Sequence, residues 1–329
     1  MPANLPPQYK EAEDRYRQAK TAPDKILALE EMLAIIPHHK GTDKLIGQLR
    51  KRLSQHKEES QRRASTPRQA DPFMVKKEGA GQVVMIGPPN AGKSQLLASL
   101  THAKPEVAPF PFTTQKPLAG MMPYENIQIQ LIDTPPISSD FFESGILGLI
   151  RNSDLIWLII DLSSDDPSAE LEIVKKRLEE KKIKLHQDEK GFPLEIGEVC
   201  KKTMLLGNKN DLENAQENWE ISKELYGSTF LLYSVSAEKK QGLEELKIET
   251  FKNLEILRVY TKVPGKSPDY TNPVILKKGH KLMDAAFAIH KDFAHNLKYA
   301  RIWGKGKYEG QMVHRDEVLS DGDVIEFHI

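Results

Sequence analysis

The chain has 329 residues, of which 39% are hydrophobic and 29% are charged, and its 47 basic residues balance its 47 acidic residues. This length allows two or three domains, each with its own core, and the composition is typical of a globular protein. The single cysteine, Cys200, excludes an intramolecular disulfide and a cysteine-based metal site.

The charge is distributed unevenly along the chain. Residues 1–75 hold 14 basic and 10 acidic residues, residues 258–329 hold 12 and 9, and the residues between them hold 21 and 28. A polyanionic partner would therefore meet the two ends of the chain, although ordinary solvated surfaces explain the same counts.

The sequence also predicts where the protein resides. The first 20 residues are polar and contain no apolar leader, and the most apolar run, LIWLII at 155–160, is too short to span a bilayer. We therefore expect a cytoplasmic protein without a membrane partner.

Residues 1–65 predict a helical region. Apolar residues recur at helical spacing on both sides of IIPHHKG at 35–41: Ile26, Leu29, Leu33 and Ile36, then Leu45, Leu49 and Leu53. Because proline ends one helix and glycine makes the next turn, the pattern predicts a helical hairpin. Residues 40–68 hold nine basic and three acidic residues, which fit a solvated helix or a nucleic-acid contact. Residues 66–80, which begin in the aperiodic ASTPRQADP, are predicted to be a linker.

Residues 81–257 alternate between strand and helix patterns. The strand patterns are VVMIG at 83–87, IQIQLID at 127–133, LIWLIID at 155–161, KKTMLLGNK at 201–209 and FLLYSVS at 230–236. Helical segments such as 166–181 and 241–256 separate them, and the polar HQDEKG at 186–191 is interpreted as a surface excursion. This alternation predicts an α/β domain with a mainly parallel sheet covered by helices.

Residues 258–329 predict a small α+β unit. The strand PVILKKG at 273–279 precedes an amphipathic helix at 280–294, and YARIWG and DGDVIEFHI supply later strands. Lys277, Lys278, His280 and Lys281 cluster at the strand–helix turn, and Lys298 precedes YARIWG. Alternation places Tyr299, Arg301 and Trp303 on one face, which either stacks on unpaired bases or belongs to the core with Trp303 buried.

GPPNAGKS at 87–94 fits the phosphate-loop pattern GxxxxGK[ST], with a strand before it and a helix after it. Backbone N–H groups and the helix N-terminus bind phosphates in such a loop. Lys93 would reach the β- and γ-phosphates, and the Ser94 hydroxyl would hold Mg²⁺. The nucleotide-binding residues predicted here are Gly87, Asn90, Ala91, Gly92, Lys93, Ser94 and Gln95.

NKND at 208–211 follows an apolar strand and so lies where a nucleotide base would bind. A carboxylate there accepts two N–H donors from guanine that adenine does not offer, which favours GTP over an ATP-using kinase. The predicted base-reading residues are Asn208, Lys209 and Asp211, together with Ser236, Ala237 and Glu238 of SVSAE at 234–238.

These three motifs in this order resemble the Obg branch of the translation-factor-like GTPases. PFPFTTQKP at 109–117 looks like the first switch of that branch, which implies Thr114 as the Mg²⁺-binding threonine, with Thr113 as its competitor. Residues 260–279, 297–304 and 319–329 resemble a TGS domain, a β-grasp module. HHKGTDKLIGQLRKRLSQ at 38–55 resembles the N-terminal helical region of the developmentally regulated GTP-binding proteins.

The resemblance implies three regions and a function. A GTP-binding domain at 81–257 would stand between the helical hairpin and a TGS domain at 258–329. We expect a monomeric, slow GTPase with Lys93, Thr114 and Asn90 in catalysis and potassium bound through Asn90. The expected partner is the ribosome or structured RNA, with a protein activator as a further candidate. One departure is that the domain inserted before NKND in eukaryotic and archaeal members is reduced here to 163–200.

DTPPI at 133–137 departs from the expected Asp-x-x-Gly. Asp133 is placed to hold the Mg²⁺ shell through water, so the predicted metal residues are Ser94, Thr114 and Asp133. Pro136 has no N–H and cannot make the hydrogen bond of the usual glycine to the γ-phosphate. The Ile137 N–H could replace it, or sensing is weak, or the domain is a non-hydrolysing relic. A GTP-binding adaptor with little or no hydrolysis is therefore the competing hypothesis.

Overall fold

The N-terminal helices form a unit of their own. The computed structural model describes residues 7–19, 22–36, 42, 45–55, 73–102, 116–189 and 193–328. Residues 1–71 make one compact unit and residues 72–329 make another. Among the residues described, each helix is too short or too polar to cross a lipid bilayer.

The first unit contains α1 (Pro7–Gln18), α2 (Ala22–Ile35) and α3 (residues 45–55). Its apolar positions form one small core: Tyr9, Ala12, Leu29, Met32, Ile36, Ile46 and Leu49. This confirms the predicted helical character of the region, because the residues spaced for one helix face pack together. The predicted turn at 37–41 lies outside the described residues.

The second unit is built on a seven-stranded sheet. Its strands are β1 (Gln82–Ile86), β2 (Leu118–Tyr124), β3 (Ile127–Asp133), β4 (Leu155–Asp161), β5 (Ile183–His186), β6 (Val199–Asn208) and β7 (Leu231–Ser234). The order is β2-β3-β1-β4-β6-β5, and β7 pairs with the second half of β6. Every pair is parallel except β2–β3, which confirms the predicted mainly parallel sheet.

Helices cover both faces of this sheet. They are α4 (Lys93–Leu100), α5 (Ile146–Asn152), α6 (Pro167–Glu179), α7 (Ala215–Tyr226) and α8 (Leu243–Asn253). Alternate residues of β4 enter opposite cores, with Trp157 in one and Ile156 in the other. All seven residues of β4 are buried, as its unbroken apolar sequence predicts.

Two strands of this sheet have no clear sequence signal. β2 contains Gly120 and Pro123, both of which weaken a strand pattern. β5 has four residues, and its last, His186, begins the segment interpreted as a surface excursion. That interpretation is therefore wrong for His186. The Gln187 N–H bonds the Thr229 carbonyl at 2.9 Å, so the chain leaving β5 remains tied to the domain.

The described part of the predicted linker, residues 73–80, lies against the first sheet. The Ala80 N–H bonds the Gln128 carbonyl at 2.8 Å, and Gly79 bridges to Ile129. Phe73 packs against the core on one face of the sheet. These eight residues therefore act as part of the second unit.

A second sheet follows in the order β11-β10-β12-β8-β9. Its strands are β8 (Ile256–Lys262), β9 (Asp269–Lys277), β10 (Tyr299–Trp303), β11 (Gln311–Val313) and β12 (Val324–His328). β8 and β12 are parallel, and the other neighbours are antiparallel. Two helices, α9 (Leu282–Ile289) and α10 (Lys291–Asn296), complete the unit.

The single helix predicted at 280–294 is wrong. His290 interrupts it with extended backbone (φ −166°, ψ 145°), and its ring accepts a hydrogen bond from the Asp292 N–H at 3.2 Å. The apolar pattern continues through the break, so periodicity alone does not reveal it.

The turn between β2 and β3 joins the two sheets. The Arg258 guanidinium on β8 bonds Glu125 and the side-chain oxygen of Asn126, the latter at 3.3 Å. The Asn126 amide in turn donates to the Tyr260 hydroxyl at 2.8 Å. The hairpin that follows the predicted first switch is therefore fastened to the C-terminal sheet.

Candidate functional site

The predicted motifs meet at one edge of the first sheet. Because its central strands are parallel, the segments that follow them lie at their shared carboxyl ends: 87–92, 133–137, 161–164, 208–211 and 235–238. This is the usual ligand-binding edge of an open α/β sheet.

The phosphate-loop backbone requires its glycines. Gly87 has φ 154°, and a Cβ there would lie 2.2 Å from the Ile159 carbonyl oxygen. Gly92 has φ 85°, and a Cβ there would lie 2.2 Å from the Asn208 amide nitrogen. The loop thus passes close to β4 and to the NKND segment at 208–211. Only glycine, which has no Cβ, permits this close approach.

Lys93 at the start of α4 is buried under the loop. Its ammonium donates to the carbonyl oxygens of Gly87 at 3.1 Å and Pro88 at 2.9 Å. Burial lowers the pKa of Lys93 to about 8, while the charge of Asp133 opposes that shift. An anion bound in the loop would offset the cost of burying this positive charge.

Ser94 and Asp133 bring oxygen ligands together from α4 and the end of β3. The Ser94 hydroxyl lies 2.5 Å from Asp133 Oδ2, and Asp133 is buried. A hydroxyl and a carboxylate suit Mg²⁺, which takes few protein ligands and completes its shell with water and phosphate. The described residues contain no cluster of three or more His, Cys, Asp or Glu side chains that suits another metal site. Thr113 and Thr114 lie outside the described residues.

Asn208 ties the phosphate loop to the predicted base-reading segments. Its side-chain amide donates to the Ala91 carbonyl at 2.9 Å, and its oxygen accepts from the Ala237 N–H at 3.1 Å. The Ser99 hydroxyl on α4 also bonds the Ala237 carbonyl at 2.9 Å. One buried asparagine therefore fixes three loops that are far apart in sequence.

The remaining predicted residues lie around this asparagine. Gln95 reaches Glu238 with a side-chain hydrogen bond of 3.4 Å, and the buried Ser236 accepts from the Lys239 N–H at 2.9 Å. Asp211 and Asn90 are exposed on their loops. The structure thus brings every described site residue to one edge, and their roles in binding nucleotide stay predictions.

The DTPPI segment is packed into the protein. The Thr134 hydroxyl bonds the Met85 carbonyl at 2.7 Å, and the Ile137 N–H bonds the Gly87 carbonyl at 3.0 Å. Pro136 and Ile137 are buried, the latter completely. In this conformation the Ile137 N–H is bonded to the phosphate loop, so reading the γ-phosphate would require that bond to break, and this role stays a prediction.

Two side chains that sequence reasoning missed hold the site loops. The Arg177 guanidinium on α6 donates to the carbonyls of Ser138 at 3.2 Å and Ser139 at 2.7 Å, just after DTPPI. Asp161 at the end of β4 pairs with the Lys209 ammonium at 2.5 Å. The sequence did contain a signal for Asp161, because a carboxylate at the end of an apolar strand indicates a functional or structural role.

Tyr299, Arg301 and Trp303 share the open face of the second sheet. Ala300 and Ile302 are buried on its other face, whereas Arg301 is exposed. Trp303 is half-buried, so it is not the fully buried residue that the core alternative requires, although its β12 neighbours on this face, Val324 and Glu326, are buried. The Tyr299 ring stacks on His328 at 4.2 Å, and the Lys262 ammonium lies 4.6 Å from the centre of the Trp303 ring.

The predicted basic cluster at the start of α9 is partly neutralised. The Lys277 ammonium lies 3.1 Å from Asp154, and that of Lys281 lies 3.0 Å from Asp316. A polyanion at this turn would therefore compete with carboxylates of the chain itself.

Comparisons with known proteins agree with this arrangement. A family model described as 50S ribosome-binding GTPase matches residues 82–190, and one described as TGS domain matches residues 257–329. The fold is thus a GTPase domain with a mainly parallel sheet, followed by a C-terminal TGS domain.

Several relatives match most of the chain. An uncharacterized GTP-binding protein of Methanocaldococcus jannaschii is 31% identical over 360 residues, covering 92% of this chain and 91% of that protein. Developmentally-regulated GTP-binding protein 1 of Xenopus laevis is 27% identical, covering 92% and 97%. The solved structure of a GTP binding protein from Pyrococcus horikoshii is 15% identical with a TM-score of 0.47, covering 75% of this chain and 99% of that one.

Proposed function

The chain belongs to the developmentally regulated GTP-binding proteins, Obg-like GTPases with a TGS domain, and on this premise we propose that it is a slow, potassium-stimulated GTPase that acts with ribosomal or other structured RNA. The observation that carries the proposal is Asn208, which ties the phosphate loop to the segment at Ala237. A site built this way couples phosphate binding to base reading. We further propose a monomer in the cytoplasm.

Hydrolysis in this site would depend on positioning and electrostatics rather than on covalent chemistry. Lys93 would exchange two loop carbonyls for the β- and γ-phosphates, whose charge offsets its burial. Ser94 and Asp133, the latter through water, would hold Mg²⁺ together with Thr114. When bound, that ion neutralises charge on the phosphate oxygens.

Asn90 is the proposed potassium ligand. Its side chain is exposed on the phosphate loop, and its backbone has φ 59°, which turns the loop back at this residue. Oxygen ligands suit hard cations. Ile137 offers no polar group to orient water, so catalysis would depend more on a cation beside the phosphates, whose charge would stabilise the negative charge that develops there.

We expect GTP turnover well below the ordinary range of about 1–10³ s⁻¹, and faster turnover when potassium replaces sodium at constant ionic strength. Asn90→Ala should remove the potassium response, because it deletes the proposed cation ligand, and Asn90→Gly, which tolerates the left-handed backbone at φ 59°, should do the same. Phosphate release in matched salts measures this. Asn152→Ala, at an exposed asparagine ending α5, is the control and should keep the response. Equal rates in sodium and potassium would refute the ion site.

A second candidate function is a GTP-binding adaptor with little or no hydrolysis. The observation that favours it is the buried DTPPI segment, in which the Pro136 nitrogen carries no hydrogen and the Ile137 N–H is bonded to Gly87. Tight GTP binding with no phosphate release in either salt would support the adaptor over the GTPase.

The RNA proposal rests on the open face of the TGS domain. Arg301 is exposed between Tyr299 and Trp303, and the Lys262 ammonium lies over the Trp303 ring, where it is also paired with Glu326. Guanidinium and aromatic groups stack on unpaired bases. The family model that matches the GTPase domain is named for binding the 50S ribosome, which also favours this partner.

Arg301→Glu should weaken co-sedimentation with ribosomes from the source cell, since it places a negative charge on the proposed RNA face. The wild-type affinity should fall as salt rises, and the variant should lose about one unit of the logarithmic salt slope. GTP affinity should not change. Lys176→Glu makes the same charge change on an exposed lysine of α6 and should bind as the wild type does. If Arg301→Glu and Lys176→Glu co-sediment with ribosomes equally well and without dependence on salt, this face is excluded as the RNA-binding surface.

A further inference from the structure

The lysine of the guanine motif is held by a carboxylate from another strand. Lys209 has a left-handed backbone (φ 64°), which turns its side chain away from the path of β6. Its ammonium lies 2.5 Å from Asp161 Oδ2, at the end of β4. The Asp161 side chain is only 12% exposed and that of Lys209 31%, so the pair is partly shielded from solvent.

The Asp161 carboxylate is also held in place by hydrogen bonds from Ser163. Its Oδ1 accepts from the Ser163 N–H at 2.9 Å and from the Ser163 hydroxyl at 2.6 Å. The Asn218 amide on α7 donates to the carbonyls of Leu162 at 2.9 Å and Ser164 at 3.0 Å. Oδ1 therefore holds the turn, and Oδ2 is directed at Lys209.

A second carboxylate near the pair helps to hold the Lys209 ammonium beside Asp161. Glu170, which accepts from the Ser164 hydroxyl at 2.9 Å, adds a second carboxylate near the Asp161–Lys209 pair. Its pKa is raised by burial and by the charges of Asp161 and Asp166, while the Ser164 bond and Lys209 lower it. The negative charges on this side attract the Lys209 ammonium.

We propose that Asp161 is a positioning residue for guanine nucleotide: it holds the Lys209 side chain at the border of the base pocket. The inference rests on the proposed nucleotide site, because Lys209 lies between Asn208, which braces the loops, and Asp211, which would read guanine. Asp161 touches no nucleotide. It limits the conformations of a long, flexible side chain, so less conformational entropy is lost when the base binds.

Asp161→Asn separates the two roles of the carboxylate, which are accepting hydrogen bonds from Ser163 and pairing with Lys209. The asparagine oxygen still accepts from Ser163, but the amide nitrogen cannot accept a bond from the Lys209 ammonium. GDP should bind about three- to tenfold more weakly and dissociate faster, which corresponds to the loss of one partly shielded ion pair. Ser163→Ala, which removes a bond to Oδ1 only, should change GDP affinity less than about twofold.

A double-mutant cycle distinguishes positioning from a general loss of structure. Lys209→Met keeps the stem and removes the ammonium, so Asp161→Asn should add no further loss in that background. The loss on Asp161→Asn should be equal for GDP and inosine diphosphate, since Lys209 does not read the guanine amino group.

Fluorescent-nucleotide titration and dissociation rates of the full chain measure these effects. An Asp161→Asn loss that persists in the Lys209→Met background, or GDP affinity that stays unchanged, overturns the inference while the wild type still binds GDP. A wild-type chain that binds no guanine nucleotide removes the proposed function, and this inference with it.

Discussion

Asp211→Asn should reverse the base preference of the chain. GTP affinity should fall by about 100-fold or more, because the asparagine oxygen accepts only one of the two guanine N–H donors, its amide opposes the other, and the negative charge is lost. Xanthosine triphosphate should become the better ligand, since its 2-oxo group accepts from the new amide. Asp211 is exposed beside Asn208, so the substitution disturbs no core packing.

Competition titrations with GTP and xanthosine triphosphate measure the reversal. Glu213→Gln removes an exposed carboxylate two residues further along the same loop and should leave GTP affinity unchanged. An Asp211→Asn protein that binds GTP as the wild type does would refute the assignment of NKND as the base reader. ATP competing as well as GTP against the wild type would have the same consequence.

The sequence predicted the site residues because each motif is a short pattern at a strand end. In a parallel sheet, strand ends converge, so local patterns at residues 87–94, 133 and 208–211 are enough to predict one shared edge. The glycines at 87 and 92 are explained only by the structure, since their close neighbours, Ile159 and Asn208, are distant in sequence.

The contacts that brace the site could not be predicted in this way. Asp161 and Lys209 are 48 residues apart, and Arg177 is 39 residues from Ser138. Neither contact produces a periodic or local signal, because each depends on which distant segments the fold brings together. The same reason applies to β5, whose four residues form a strand only beside the first half of β6.

The structure changes the interpretation of DTPPI. A proline in place of the switch glycine looks, in sequence, like the loss of one hydrogen-bond donor. In the fold, the whole segment from Thr134 to Ile137 is fastened to β1 and the phosphate loop and is buried. The segment that follows Ile137 is held differently, by the Arg177 guanidinium on the carbonyls of Ser138 and Ser139.

Arg258→Met should destabilise the second unit by about 1–2 kcal/mol, because the arginine is buried whereas Asp321 is about one third exposed and solvent screens the charge left behind. The Arg258 guanidinium makes a bidentate pair with Asp321, at 3.1 and 2.7 Å, and lies 4.8 Å from the centre of the Phe251 ring. The hydrogen bonds to Asp321 and Glu125 raise the pKa of Arg258, while burial opposes them. The arginine therefore stays charged, and its loss leaves Asp321 without its buried partner.

The two acidic partners contribute unequally. Glu125 on the β2–β3 turn is 58% exposed, so solvent screening limits its pair with Arg258 to about 1 kcal/mol or less. Asp321 bonds both the Arg258 side chain and the Arg258 backbone N–H, the latter at 2.7 Å. Glu125→Gln should therefore lower the free energy of unfolding far less than Arg258→Met does. The difference between the two losses measures the contribution of the Arg258 contacts within the TGS domain.

Calorimetry of the full chain tests this expectation. Arg258→Met should lower the melting temperature by about 5–10 °C, and the TGS domain should unfold before the GTPase domain because the contact to the β2–β3 turn is also lost. Arg301→Met, at an exposed arginine on β10, removes the same charge without these partners and should melt as the wild type does. An Arg258→Met protein with an unchanged, single transition would mean that packing between the two sheets, and not this arginine, holds the TGS domain on the GTPase domain.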